Sequence, residues 1–156
     1  MTDNRRNLIN SSHSDKNNFS VEVLPYPIRN LSALLVEDAP ENQFLMTKIL
    51  SNLAIAVEVA NNGQEGIEMA MAGNHDFILM DMQMPILDGY CATQWLRENG
   101  YKKPIIALTA DALAEERARI LASGCDAHLT KPVNFDLLMQ TISSFLILKL
   151  YRFHNF

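Results

Sequence analysis

A short apolar run followed by a stretch of helical periodicity occurs five times in succession along this chain, and that alternation narrows the fold more than any other feature. "SALLVED", "IAVEVA", "DFILMD", "KPIIALTA" and "DAHLTKP" read as strands. "PENQFLMTKILSNL" opens on a proline and carries Phe44, Leu45, Ile49 and Leu53 near helical spacing. "NGQEGIEMAMAG", "DGYCATQWLRENG" and "ADALAEERARILASG" read as helices that each run up to a glycine. The last helix, "NFDLLMQTISSFLILKL", has Asn134 as its N-cap and Phe135, Leu138, Met139, Ile142 and Phe145 on one face. Strands alternating with helices in this way predict an α/β fold with a parallel sheet covered on both faces. The near-continuous apolar character of the strands fits that burial.

Composition limits what such a domain does. Of 156 residues, 48% are apolar and 20% charged, which is globular and enough for a proper core. Thirteen bases stand against eighteen acids, and beyond residue 30 nine bases face fifteen acids, so the folded part is the acidic part. No direct nucleic-acid binding is expected, because phosphate contacts need clustered Lys and Arg. Cys91 and Cys125 have no metal-ligand spacing and read as reduced thiols of a cytoplasmic protein. No signal peptide is visible, and "FLILKL" is too short to cross a bilayer, so no membrane partner is expected. Residues 1–30 hold six Asn and four Ser together with "LPYPI" and read as a disordered tail or linker. Residues 31–148 form the domain and 149–156 a C-terminal tail, although "FLILKLYRF" also suits an extension of the last helix.

In an open parallel sheet the functional site lies beyond the carboxyl ends of the strands. The first strand ends in Glu37-Asp38, the third in Asp81, the fourth in Thr109 and the fifth in Lys131-Pro132. An acid at the end of a buried run is costly unless it meets a cation or an open edge. Three carboxylates repel one another and call for a hard divalent ion, and Mg²⁺ suits a site built from carboxylates, waters and a phosphoryl oxygen. An Asp carboxylate is also a nucleophile toward phosphorus, giving an aspartyl phosphate. A metal and a lysine would neutralise charge on the transferring group, and a threonine hydroxyl would bond one of its oxygens. Asp81 is then the group that reacts.

"LLVEDAPEN", "ILMDMQMPILDG", "IIALTAD" and "LTKP", in this order, resemble the receiver domains of two-component response regulators, most of all those of hybrid sensor histidine kinases. The resemblance runs from about Leu31 to about Leu148. It implies a flavodoxin-like (βα)5 doubly wound five-stranded parallel sheet of order 2-1-3-4-5. It implies Asp81 as phosphoacceptor, with Mg²⁺ held by Asp38, Asp81 and the backbone carbonyl of Gln83, and through water by Glu37. Lys131 would pair with Asp81 and then with the phosphoryl group, across a cis Lys131-Pro132 bond, and Thr109 would follow the phosphoryl group. The expected function is a phosphorelay receiver in signal transduction, catalysing only its own phosphorylation and dephosphorylation. Its partner would be a histidine kinase or histidine phosphotransfer protein. Phosphorylation would remodel the face made by the fourth helix, fifth strand and fifth helix. A monomer or weak dimer is expected.

One position departs from the pattern. The family often has Tyr or Phe three residues before the strand-five lysine, where this chain has His128, a polar and titratable residue at the switch position. Other residues have ordinary readings. Asp88 starts the third helix as a cap, Asp111 either lies at a solvated helix start or influences access of water to the phosphoryl group, Trp95 is partly core, and the methionines at 80, 82 and 84 serve packing and loop. His13 and His75 read as surface residues. Two alternatives remain beside the phosphorelay receiver. A Mg²⁺-dependent aspartyl phosphohydrolase often carries a second Asp where Gln83 stands, and a receiver that docks without accepting phosphate would retain the fold alone. A flavodoxin-like cofactor site would need a phosphate loop after the first strand, where "EDAPEN" puts two acids.

Overall fold

The computed structural model describes residues 31–154, with side chains through Phe145. Five strands alternate with five helices: β1 Ser32–Val36, α1 Pro40–Asn52, β2 Ala56–Ala60, α2 Gly63–Ala72, β3 Phe77–Asp81, α3 Gly89–Glu98, β4 Ile105–Thr109, α4 Ala114–Ser123, β5 Ala127–Thr130 and α5 Phe135–His154. The strands form one sheet in the order β2-β1-β3-β4-β5, and every pairing is parallel. The order reverses between β1 and β3, which opens a crevice at their carboxyl ends.

Each face of the sheet has its own core, because successive strand residues point to opposite sides. Leu34, Val36, Ile78, Met80, Ile105 and Ala107 pack with Ile67 and Ala70 of α2, Tyr90 and Leu96 of α3 and Ile120 of α4. Ala33, Leu35, Phe77, Leu79, Ile106 and Leu108 pack with Met46 and Leu50 of α1 and Leu138, Met139 and Ile142 of α5. The central strands are therefore apolar on both sides, whereas β2 at the edge exposes Ala56 and Glu58 between half-buried valines. Met80 and Met82 are buried and Met84 packs against them, so the three methionines do serve packing.

Local signals set the helix ends. Pro40 opens α1, the Asp88 carboxylate caps α3 by accepting from Cys91 N at 2.8 Å, and Asn134 accepts from Leu137 N at 3.0 Å. Gly100 and Gly124 follow α3 and α4 at φ +86° and +109°, a region that glycine occupies without strain. At the amino edge of the sheet Arg97 donates to the carbonyls of Gly124, Tyr101 and Lys103 and pairs with Asp126 at 2.7 Å, joining the α3–β4 and α4–β5 connections.

Four expectations need correction. The buried stripe of α1 is Met46 and Leu50, with Ile49 and Leu53 beside it, while Phe44 and Leu45 are 71% and 53% exposed. Phe135 is likewise 40% exposed, so the inner face of α5 begins at Leu138. His75 is buried, not on the surface, with its Nε2 on the Glu58 carboxylate of β2. Residues 149–154, read as a tail, continue α5, because neither glycine nor proline follows Pro132 to stop the helix. The expected tail over residues 1–30, with His13, lies outside the described residues.

Candidate functional site

The parallel strands bring five separated sequence positions to one edge. Glu37 and Asp38 follow β1, Asp81 ends β3, Thr109 ends β4 and Lys131 follows β5. Glu37, Asp38 and Asp81 each place a carboxylate oxygen within 4.8 Å of the other two. Glu37 is 1% and Asp81 4% exposed, whereas Asp38 reaches solvent. The Lys131 ammonium lies between the two buried acids, 2.8 Å from Glu37 Oε2 and 3.1 Å from Asp81 Oδ2. The Lys131-Pro132 bond is cis.

The hydrogen bonds distinguish the three acids. Both Glu37 oxygens are engaged, Oε1 by Ala39 N at 3.0 Å and Oε2 by Lys131. Asp81 Oδ1 accepts from Gln83 N at 3.1 Å. Asp38 makes no hydrogen bond or ion pair among the described residues. Burial alone would raise the Glu37 carboxyl, but Lys131 and the Ala39 N–H outweigh it and hold the group below its usual range. Asp81 goes the other way: burial and then the Glu37 charge raise it, and the Gln83 N–H and Lys131 only partly offset them. Burial would lower Lys131, but its contacts with Glu37 and Asp81 raise it above the ordinary lysine value. A lysine shared between two acids thus favours the nearer one.

Thr109 is buried and its Oγ1 accepts from Asp111 N at 3.1 Å, while its carbonyl accepts from Lys131 N at 2.7 Å. His128 lies opposite Ala107 in the β4–β5 ladder and is half-buried. The Gln83 side chain is exposed and its backbone forms the turn beyond Asp81.

Two supports escaped sequence reasoning. Gln43 Nε2 donates to the Glu37 carbonyl at 2.6 Å and to Asn61 Oδ1 at 3.0 Å, fixing the first strand end to the second. Its signal was the polar Asn42-Gln43 pair in the first turn of α1. Gly89 admits no side chain: a Cβ there would sit 2.3 Å from the Asp81 carbonyl oxygen and 2.8 Å from Met82 Cα. The first turn of α3 is therefore pressed against the backbone that carries Asp81, a packing fact with no local sequence signature.

Three carboxylates against one ammonium leave excess negative charge at an edge poor in solvent, and an all-oxygen donor set of this kind suits a hard divalent cation such as Mg²⁺. Fold and site together define a doubly wound α/β domain with an acidic centre at the strand ends. The chain belongs to the response regulator receiver domain family, whose model matches residues 33–143. It is 39% identical over 114 residues to the sensor histidine kinase RcsC of Escherichia coli, a match covering 73% of this chain but 12% of that protein. The chain thus spans about an eighth of the length of that relative. Among solved structures it resembles the receiver domain of the Pseudomonas aeruginosa sensor histidine kinase PA1611, which holds a magnesium ion in its active-site cleft. That match has a TM-score of 0.69 and 38% identity and covers 74% of this chain and 97% of the other. It also resembles the receiver domain of Saccharomyces cerevisiae Ssk1, crystallised with the histidine phosphotransfer protein Ypd1. There the TM-score is 0.68 and the identity 32%, covering 75% and 89% of the two chains. Among the described residues no helix is long and apolar enough to cross a membrane.

Proposed function

We propose that this receiver takes a phosphoryl group on Asp81 from a phosphohistidine of a histidine kinase or histidine phosphotransfer protein. The observation that carries the reading is the Asp81 carboxylate at the end of β3, 3.1 Å from Lys131 and within 4.8 Å of Glu37 and Asp38. The partner class follows from the likeness to a receiver crystallised with a phosphotransfer protein.

Asp81 contributes an oxygen as nucleophile. A new P–O bond forms as the P–N bond to the donor imidazole breaks, and the imidazole keeps that electron pair. Lys131 is close enough to leave Glu37 and pair with the incoming phosphoryl oxygens. Thr109 stands at the end of the neighbouring strand, where its hydroxyl accepts from Asp111 N and would donate its O–H to a phosphoryl oxygen. Asp38, which has no other partner among the described residues, and Asp81 are the direct ligands offered to Mg²⁺. The Gln83 carbonyl would complete the protein set, and Glu37, whose two oxygens are already engaged, would act through water. The ion, when bound, would supply charge neutralisation on the transferring group. His128 and Thr109 form the switch, which biases a two-state equilibrium of the α4-β5-α5 face. Leu113, Leu121 and Leu137 are 64%, 56% and 52% exposed on or beside that face, as a docking surface requires. The domain acts in signalling and turns over only its own phosphoryl group.

The test is the intact mass after incubation with acetyl phosphate and Mg²⁺. One base-labile phosphoryl adduct, absent from Asp81→Asn and from a metal-free sample, is the expected result. Equal labelling of Asp81→Asn would sink the assignment.

A further inference from the structure

Helix α4 is the most weakly seated of the five. Its single buried side chain among the described residues is Ile120, whereas α3 buries five residues and α2 four. One turn before Ile120, Glu116 carries a buried carboxylate oxygen with no hydrogen-bond partner, which works against close seating. Arg97 of α3 holds the Gly124 carbonyl just past the end of α4 at 2.9 Å, and among the described residues one further polar contact reaches α3 from within the helix. The Arg119 guanidinium lies over the face of Tyr90 in α3, with Cζ 3.8 Å from the ring centroid, a favourable cation–π geometry.

The ring beneath it is buried. Tyr90 is 8% exposed and follows Gly89, where even a Cβ would collide with the Asp81 carbonyl oxygen and Met82 Cα. The Tyr90 hydroxyl is buried without a partner, so the ring face, not the phenol, is what the residue contributes. Arg119 thus grips a platform built into the backbone that carries Asp81.

We propose that Arg119 stacked on Tyr90 is a latch holding α4 against α3, whose opening frees α4 to be remodelled. Its consequence for phosphorylation rests on Asp81 being the phosphoacceptor. The latch itself does not, and the test separates the two.

Amide hydrogen exchange of the segment 114–123 is measured by mass spectrometry on the full chain without phosphodonor or metal. Arg119→Ala is expected to raise exchange of this helix about two- to five-fold, the factor that one exposed cation–π contact supports. Tyr90→Phe keeps the ring face and should exchange like the parent. Tyr90→Leu should match Arg119→Ala, and the double variant should exceed neither. Should Tyr90→Leu fail to fold, Arg119→Gln replaces it. Parental exchange in Arg119→Ala, or a double variant equal to the product of the singles, overturns the latch. A second arm follows acetyl phosphate labelling, expected to quicken by a similar factor in Arg119→Ala. Raised exchange with unchanged labelling overturns the coupling to phosphorylation. Failure of the parent chain itself to label counts against the Asp81 reading and leaves the exchange result standing.

Discussion

Replacing Asp81 by Asn should stabilise the metal-free protein near neutral pH, although it removes the group on which the proposed function depends. The carboxylates of Glu37 and Asp38 lie within 4.8 Å of that of Asp81. At an effective dielectric of about 20, each like-charge repulsion costs about 3.5 kcal/mol. The Lys131 ammonium at 3.1 Å returns about 5 kcal/mol on the same scale. Neutralising Asp81 relieves two repulsions and forfeits one attraction, for a net gain of about 2 kcal/mol, reduced to about 1 kcal/mol because solvent reaches this edge at Asp38. For a domain of this size that is a rise in Tm of about 4 °C. The pH dependence has a definite sign. Burial and the Glu37 charge raise Asp81, so the folded chain holds this proton more tightly than the unfolded one. Its contribution is full below the ordinary Asp range and is lost as pH rises through the folded-state value. The advantage of Asp81→Asn should therefore be largest near neutrality and shrink in acid. Glu37 is lowered and contributes with the opposite sign, but both proteins share it, so it largely cancels in the difference. Urea unfolding of the two proteins in chelator, across this pH range, measures the gap. A less stable Asp81→Asn at neutral pH, or a gap that does not narrow in acid, would refute the charge accounting. Added Mg²⁺ should reverse the order by stabilising the parent chain through mass action.

Two further outcomes follow from packing. Gly89→Ala drives a Cβ against backbone atoms 2.3 and 2.8 Å away, so α3 must shift. We expect a loss of about 1–3 kcal/mol in denaturant unfolding together with slower acetyl phosphate labelling, because the displaced carbonyl is that of Asp81. Leu50→Ala should cost about 2–5 kcal/mol, whereas Phe44→Ser should stay within about 0.5 kcal/mol; comparable losses in unfolding would contradict the orientation of α1.

The strand–helix alternation was legible because the hydrophobic period switches between two and 3.6, and the parallel sheet then dictates that all strand ends meet at one edge. Asp81, Glu37, Asp38 and Lys131 could be placed together from order alone, without a distance. Thr109 could be placed at that edge, but not its bond to the Asp111 N–H. The phase of α1 was harder, because two apolar stripes are available to it. Positions 46, 49, 50 and 53 follow the spacing of a buried face, yet Phe44 and Leu45 are more conspicuous and point outward. His75 was misplaced for another reason: its partner Glu58 lies on the edge strand β2, seventeen residues away. The same holds for Gly89 on the Asp81 carbonyl and Arg119 on Tyr90, where the deciding contact exists only after the chain has folded back.

The polarity of the sheet also decides how this domain hangs in whatever surrounds it. All five strands run the same way, so the chain enters β1 at the amino edge, and α5 leads back from the site toward that same edge. The start of β1 thus lies about 16 Å of strand away from the acidic centre, and α5, about 30 Å long, runs back past that same edge. Leu31 therefore stands at the back of the domain and Asp81 at its front. The approach to Asp81 is left to a visitor that arrives from the front, so a covalently attached donor and a freely diffusing one would have to reach the same open side.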